Sequence, residues 1–359
     1  MKSLGNFPDP FIAEISGQPE ALRRAAGAVA SQAGTLERVA ATAEERTVVF
    51  TGMGSSYDAC YPAVTELAQA GIAAVMLDAA ELLHFRTGML GSSTILVAVS
   101  QSGESAEVVR AVREVRARPA EQPHVVAVTN GVTNTLAGLA DLALDTRAGL
   151  EAGPSTMTFA ASLVLTAAVG RAIAGRPVPT LIEDLRDGAT LAAAAIERLL
   201  DDDALPERLV TWLDDRETLV ILGRGPARAA AEMGALTIKE AVGMPVESLQ
   251  TAQFRHGPLE LAGPGLAAMV IATEPETSEL DLALAAELLG TGAAVMTVRE
   301  GPSPGDVPDA PDVVIGPMDH ALAPAVSILP AQLLAWRLAG LRGREPGSYR
   351  RASKVTTRE

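Results

Sequence analysis

The sequence predicts an α/β protein built as two tandem copies of one parallel-sheet domain. Three observations carry this. First, Thr47-Val-Val-Phe-Thr-Gly-Met-Gly54 resembles Thr218-Leu-Val-Ile-Leu-Gly-Arg-Gly225 at an offset of 171 residues. Each is a short apolar run that ends in Gly-x-Gly and continues into an Ala-rich segment, the pattern of a buried strand, a tight turn and a helix. Second, Thr94–Ser100, Val125–Thr129 and Asp141–Asp145 have partners in the same order at Ala267–Thr273, Val295–Val298 and Asp312–Gly316. One match would mean little, but four in order imply a duplication. Third, helical patterns such as Ala106–Arg118 and Leu280–Leu289 alternate with these runs. Near-continuous apolar strands alternating with helices predict parallel sheets flanked by helices, an αβα sandwich in each copy.

The remaining elements follow in order. Residues 1–46 form an N-terminal helical segment, in which Gln18-Pro19-Glu20 opens a helix. Residues 47–185 are the first α/β domain, and Ser155–Gly170 within it is an apolar stretch interrupted by Ser and Thr. A membrane span needs about 20 apolar residues, so this stretch reads as a buried helix. Residues 186–217 are a helical linker with an amphipathic helix near Ala189–Leu200, and residues 218–341 are the second domain. Within that domain Glu300–Pro311 is a Pro- and Gly-rich loop. Residues 342–359 form a C-terminal tail with little apolar content.

Composition narrows the function. The chain has 359 residues, enough for two domains of roughly 100–200 residues each. Its net charge of −15 argues against broad binding to nucleic acid or anionic membranes. Aromatic residues are 3% of the chain, too few for base-stacking platforms. Cys60 is the single cysteine, so there is no internal disulfide and no Cys-rich zinc site. No Asp/His cluster has metal-ligand spacing, and neither metal nor cofactor is expected. The N-terminus lacks a basic segment followed by an apolar run, so a cytoplasmic protein without a secretory signal is expected.

Ligands in open parallel sheets bind beyond the carboxyl ends of the strands, so the loops after each run are the places to look. Gly52-Met-Gly-Ser-Ser-Tyr57 begins like a dinucleotide fingerprint, and Asp78 follows a later strand at a suitable distance. Tyr57 stands where the third glycine belongs, so the fingerprint fails. Two readings remain: a strand-to-helix turn that needs glycine for backbone reasons, or Ser55 and Ser56 hydroxyls at an anion-binding helix N-terminus. Ser100-Gln-Ser-Gly-Glu-Ser105 crowds three hydroxyls and a glycine at another helix entrance. A capping box with Glu104 would account for one serine, but the cluster exceeds that need and suits a phosphate. Before the next helix, in Glu151-Ala-Gly-Pro-Ser-Thr-Met-Thr-Phe159, capping by Ser155 or Thr156 is the better reading of the loop alone.

The second copy has no serine cluster after Gly225. It offers Glu232, Leu236 and Glu240 at helical spacing, with Lys239 beside the last, and then Gln253-Phe-Arg-His-Gly-Pro258. His256, one of four histidines, lies on a loop where a reactive role is open to it. For Glu240 alone, a solvated helix face is the commoner explanation.

Taken together these pieces resemble the sugar isomerase (SIS) superfamily, in particular the isomerase half of glucosamine-6-phosphate synthase and its stand-alone deaminase relatives. The matching residues are Glu14-Ile15 with Gln18-Pro19, Gly54-Ser-Ser-Tyr57, Ser100-Gln-Ser-Gly-Glu-Ser105, Leu222-Gly-Arg-Gly225, Lys239-Glu240, His256-Gly-Pro-Leu259 and Ser353-Lys354-Val355. The resemblance covers essentially the whole chain and implies two tandem SIS domains. It implies that Gly54, Ser55, Ser56, Ser100, Gln101, Ser102, Ser105 and Ser155 hold a phosphorylated sugar or amino sugar. It further implies that Glu240 moves a proton between carbons 1 and 2, and that His256 helps open the ring from the partner subunit of a homodimer. Lys354 matches the lysine that forms a Schiff base in the synthase, so the tail is expected to be ordered at the site. Its six basic residues against two acidic ones, from Arg342 onward, suit docking on an acidic body that binds a phosphate.

Three departures from the family pattern bear on substrate choice. Thr237 replaces a lysine two residues before Lys239, Met157 replaces the lysine of a Ser/Ala-Thr-Lys motif, and Gln253 replaces a glutamate. This chain also begins at the isomerase half, where the synthase has a preceding glutaminase domain, which favours deamination over glutamine-dependent synthesis. The leading expectation is therefore an isomerising deaminase of a hexosamine 6-phosphate. A fructosamine-type 6-phosphate deglycase or another aldose–ketose isomerase uses similar chemistry. A non-catalytic sugar-phosphate sensor would need the serine loop but neither Glu240 nor Lys354, and a dinucleotide-binding reductase fits least.

Overall fold

The computed structural model describes residues 9–43, 46–301 and 311–359. Most of the Glu300–Pro311 loop, which the sequence singled out, lies outside them. The chain divides into two compact units, one of Glu20–Glu151, Ser155–Thr190 and Arg351–Glu359, the other of Met1–Pro19, Ala152–Pro154 and Leu191–Arg350. Each unit is built on one five-stranded sheet in which every pairing is parallel. The first sheet contains β1 (Thr47–Gly52), β2 (Ala74–Asp78), β3 (Thr94–Val99), β4 (His124–Thr129) and β5 (Leu142–Asp145), in the order β2-β1-β3-β4-β5. The second contains β6 (Thr218–Gly223), β7 (Glu247–Gln250), β8 (Leu266–Ala272), β9 (Ala294–Arg299) and β10 (Asp312–Val314). Its order is β10-β9-β8-β6-β7. Read from the other edge this is the order of the first sheet, so the duplication inferred from sequence is a duplication of topology.

Burial explains which strands were legible. Every residue of the central strands β3 and β8 is buried, because helices cover both faces. Such strands read as unbroken apolar runs. The edge strands are different. The edge strand β2 pairs with β1 alone and leaves Val75 37% exposed, and β7 is the polar sequence Glu-Ser-Leu-Gln with no fully buried residue. An edge strand is held by backbone bonds to one neighbour and needs no apolar pattern, which is why β7 had no signal in the sequence.

The helices fit their predicted roles with ends shifted by a few residues. Ala106–Arg116 packs Val108, Val112 and Val115 against Leu96 and Val125 of the first sheet. Ser278–Gly290 does the same for the second sheet through Leu284, Ala285 and Leu288. The apolar stretch before Gly170 is the helix Met157–Ile173, buried along its length except at Arg171. A second apolar stretch, Ala323–Leu341, is long enough to span a bilayer by composition, but 83% of it is buried in the second unit. It is a core element, split into the helices Ala323–Ser327 and Leu329–Leu341.

In the second unit the N-terminal residues are tied to this core by polar contacts. The Trp336 indole Nε1 donates to Asp9 Oδ2 at 2.9 Å. Glu14 accepts from the backbone N–H of Ala152 at 2.5 Å and of Gly153 at 3.1 Å. Gln18, which opens the helix Gln18–Ser31, donates through Nε2 to Gln332 Oε1 at 2.8 Å and to the Ile15 carbonyl at 3.1 Å. Gln332 Nε2 donates back to Gln18 Oε1 at 3.2 Å, and both side chains are fully buried. A buried amide stripped of its partner costs about 1–3 kcal/mol, whereas removal of both partners costs far less. Gln332→Leu is therefore expected to lower the free energy of unfolding in urea by about 1–3 kcal/mol, and Gln18→Leu combined with it is expected to recover most of the loss. An unchanged single variant would show that the amide pair is not structural.

Candidate active site

All five strands of a parallel sheet end on one edge, and the serine-rich loops gather on that edge of the first sheet. Strand β1 ends at Gly52, where an added Cβ would lie 3.0 Å from the Ser56 and Tyr57 backbone and from the Val99 carbonyl. Only a glycine lets β1, β3 and the short helix Ser55–Asp58 approach this closely. Gly54 has φ 51° and turns the chain into that helix. The Ser55 hydroxyl donates to the Ser155 hydroxyl at 2.9 Å, while Ser56 is buried. Residues predicted as parts of two separate loops are thus in contact.

The loop after β3 is wound more tightly. The Ser100 and Ser105 hydroxyls are 3.0 Å apart. Gly103 N–H donates to Ser100 Oγ at 3.2 Å, and Glu104 N–H donates to Ser102 Oγ at 3.1 Å. Gly103 has φ 65°, and its backbone carries the side chain of Asn134, whose Oδ1 would be 2.0 Å from an added Cβ. The capping-box reading of this loop does not hold. Ser105 makes no side-chain cap on the helix Ala106–Arg116. The Glu104 carboxylate instead accepts from Thr135 N–H and Oγ1, both at 2.8 Å, and these bonds, the backbone one foremost, hold it below the usual carboxylate range. The Ser100 and Ser105 hydroxyls face each other rather than closing the helix end.

The C-terminal tail occupies the same unit. The first N–H of the helix, from Ala106, donates to the Thr356 carbonyl at 3.1 Å. Glu359 contacts Arg110 and His84. Between them Lys354 Nζ donates to Glu151 Oε2 at 2.6 Å. The order that the resemblance implied for the tail is therefore present, in spite of its low apolar content.

Glu151 is the residue that sequence reasoning missed. It was seen only as the start of a loop whose helix would be capped by Ser155 or Thr156. The structure corrects this: Thr156 makes no side-chain cap, and Ser155 turns to Ser55. The Glu151 carboxylate does the capping, accepting from Thr156 N–H at 2.8 Å, Thr156 Oγ1 at 3.0 Å, Thr158 N–H at 3.1 Å and the Thr158 hydroxyl. A carboxylate at a helix N-terminus is favoured by unpaired N–H groups and by the dipole. The signal available was an acidic residue five and seven positions before two threonines, a spacing wider than the usual capping box.

The second unit carries Glu240 and His256. Glu240 lies half-buried in the last turn of the helix Arg228–Val242, which ends at Gly243 in the left-handed conformation. The Arg344 guanidinium lies against Gly243, 1.9 Å from where a Cβ would be. His256 follows the turn Thr251–Phe254, anchored by fully buried Phe254, and its ring is exposed. Thr237 is fully buried, and Gln253 and Met157 lie at the surface and in the core respectively.

The carboxyl edge of the second sheet is furnished with charges instead of hydroxyls. Arg224 Nε donates to Asp281 Oδ1 at 3.0 Å, and the Asp281 side chain is 1% exposed. Burial pushes Asp281 above the usual carboxylate range against the opposing pull of Arg224. Beside them His320 Nδ1 is 3.2 Å from Glu274 Oε2, and its hydrogen bond to Glu274 raises its pKa to about 9. This edge supplies its own anions at the helix Ser278–Gly290 and has no serine cradle.

The two parallel sheets with their flanking helices, and the loops gathered at the carboxyl edges, define a duplicated, doubly wound class of α/β fold. The comparison with known families agrees: residues 42–172 and 213–341 each match the SIS domain, and the chain belongs to that family. It is 32% identical, over its full length, to a glutamine–fructose-6-phosphate aminotransferase (isomerizing) of Pyrobaculum aerophilum, of which it spans 59%. Among solved structures it resembles the C-terminal domain of a glucosamine-fructose-6-phosphate aminotransferase from Francisella tularensis, with a TM-score of 0.85 and 22% identity over 96% of this chain and 99% of that one. It also resembles a glucosamine-6-phosphate deaminase from Thermotoga maritima, with a TM-score of 0.70 and 20% identity over 97% and 99% of the two chains. At these identities the structural likeness is one of fold.

Two outcomes follow from this geometry. Gly103→Ala places a Cβ on Asn134 and forces a left-handed backbone on alanine, so it is expected to cost more than the roughly 1–2 kcal/mol of the backbone change alone, measured by urea unfolding. A variant as stable as the parent would show that the loop relaxes freely. The His320–Glu274 pair predicts a pH effect of definite sign. Because the folded-state pKa of His320 is above its ordinary 6.5, the stability it contributes is complete below pH 6.5 and is lost as pH rises through about 9. The parent is expected to lose stability over that interval more steeply than His320→Gln, and parallel profiles would remove the pair from the account.

Proposed function

We propose that this chain is an isomerising deaminase of a hexosamine 6-phosphate, converting glucosamine 6-phosphate and water to fructose 6-phosphate and ammonia. The observation that carries this reading is a lysine amine, Lys354, docked in the same unit as a cluster of serine hydroxyls at a helix entrance. A phosphate needs the hydroxyls and the backbone N–H groups. An aldose–ketose isomerisation has no use for an amine, whereas in deamination a lysine amine can displace ammonia at carbon 2 as a ketimine, which water then hydrolyses to the ketose and the free lysine.

In this reading Ser55, Ser56, Ser100, Gln101, Ser102, Ser105 and Ser155 hold the phosphorylated sugar, with Gly54 allowing the close turn. His256 helps open the ring, and its exposed position suits a site completed by a second copy of the chain in a homodimer. Glu240 removes the proton from one of carbons 1 and 2 and returns it to the other. Lys354 stands by the same carbons as the amine that exchanges with the substrate nitrogen. The names of the relatives support amino-sugar phosphate chemistry.

The test is release of ammonia and fructose 6-phosphate from glucosamine 6-phosphate. Loss of a positioned general base costs typically 10²–10⁴-fold, so Glu240→Gln is expected to reduce turnover by about that factor while binding persists. Tight binding by the parent chain without turnover would replace this reading with a sugar-phosphate sensor. Turnover of fructosamine 6-phosphates in place of glucosamine 6-phosphate would replace it with a deglycase.

A further inference from the structure

We propose that Glu151 is a positioning residue that latches the C-terminal tail through Lys354 and withholds that amine until substrate engages it. The inference rests on the amine role given to Lys354 above. Its starting point is a carboxylate with no exposed surface: the Glu151 side chain is 0% exposed and that of Lys354 is 19% exposed. A buried carboxylate is costly unless it is paired and hydrogen-bonded.

The bonding of Glu151 is divided in a way that suits a latch. Four donors belong to the helix Met157–Ile173 and its N-terminus, namely the N–H and hydroxyl groups of Thr156 and Thr158. These stay in place whatever the tail does. The fifth is Lys354, on a segment that reaches the unit from far along the chain. If Lys354 leaves, the carboxylate keeps its four helix-side bonds and the favourable end of the helix dipole, so release does not strand a bare buried charge. The tail also has an independent hold two residues later, where the Thr356 carbonyl accepts from Ala106. Release of Lys354 therefore frees the side chain while the backbone remains beside the Ser100–Ser105 loop.

The same contact controls reactivity. An amine committed to a short, charge-assisted hydrogen bond is withheld from other partners. Lys354 is so committed, 2.6 Å from Glu151 with 19% of its side chain exposed.

Competitive acetylation with trace acetic anhydride, read by mass spectrometry, tests this without any turnover. The chain has three lysines, Lys2, Lys239 and Lys354, and Lys239 is exposed, which supplies an internal reference. Lys354 in the full chain, paired and mostly covered, is expected to react about fivefold more slowly than Lys239, the factor that an ion pair at the strong end of the partly exposed range supplies. Glu151→Gln, which keeps an acceptor oxygen for the threonines, is expected to raise the Lys354 rate by about that factor and leave Lys239 unchanged. Equal rates for Lys354 and Lys239 in the parent chain would overturn the proposal, and this holds even where the variant fails to fold. An unaltered Lys354 rate in a folded variant would overturn it as well.

A double-mutant cycle on turnover separates positioning from simple support. If Glu151 acts through Lys354, then Glu151→Gln has no further effect in a Lys354→Met background. If the two losses add, the proposal fails. Slow labelling that is released by Glu151→Gln, in a chain that does not deaminate glucosamine 6-phosphate, would uphold the latch and reject the deaminase reading.

Discussion

Parallel pairing is the constraint on which the rest of this structure depends. When every strand runs the same way, every connection must cross back over a face of the sheet, and every strand ends on the same edge. The crossovers cover both faces with helices, so β3 and β8 are buried throughout. The shared edge collects the loops after β1, β3 and β5, which is why Ser55 meets Ser155 across 100 residues of sequence. The order β2-β1-β3-β4-β5 also sends the connections after β1 and β3 in opposite directions, the place where such sheets leave a crevice.

The two copies apply that constraint to different ends. In the first, neutral hydroxyls lie at the edge, and among the charges beside them are the buried carboxylate of Glu151 and a lysine from the tail. In the second, Arg224 with Asp281 and Glu274 with His320 fill the corresponding region with ion pairs. The ion pairs are partly or fully removed from water and hold their loops in fixed relation. The helix Arg228–Val242 begins from this braced edge and carries Glu240 at its far end.

The legible part of the molecule was the part governed by burial. Four strands in each sheet, the helices over them and the duplication itself were readable because apolar periodicity records which faces avoid water. The strand β7 escaped because an edge strand is defined by backbone bonds. Ser100, Ser102 and Ser105 were readable as a cluster beyond the needs of a capping box, but the partner of Glu104 was not, because its carboxylate meets Thr135 31 residues away. Glu151 was passed over for a related reason. Its partners are two threonines and a lysine 203 residues distant, and no local pattern encodes such a meeting. The tail was legible only through family resemblance, since its composition alone argues for disorder.

The charge-filled edge of the second sheet has a consequence for the duplication. A duplicated fold would ordinarily offer two equivalent ligand sites per chain. Here Asp281 presents a buried carboxylate in the first turn of the helix Ser278–Gly290 and engages Arg224, where the first copy has its serine loop ahead of Glu107. An incoming phosphate there would have to compete with Asp281 for Arg224. The two edges are thus unequal in charge although the architecture is twofold, and the duplication of the fold is not a duplication of the edge chemistry.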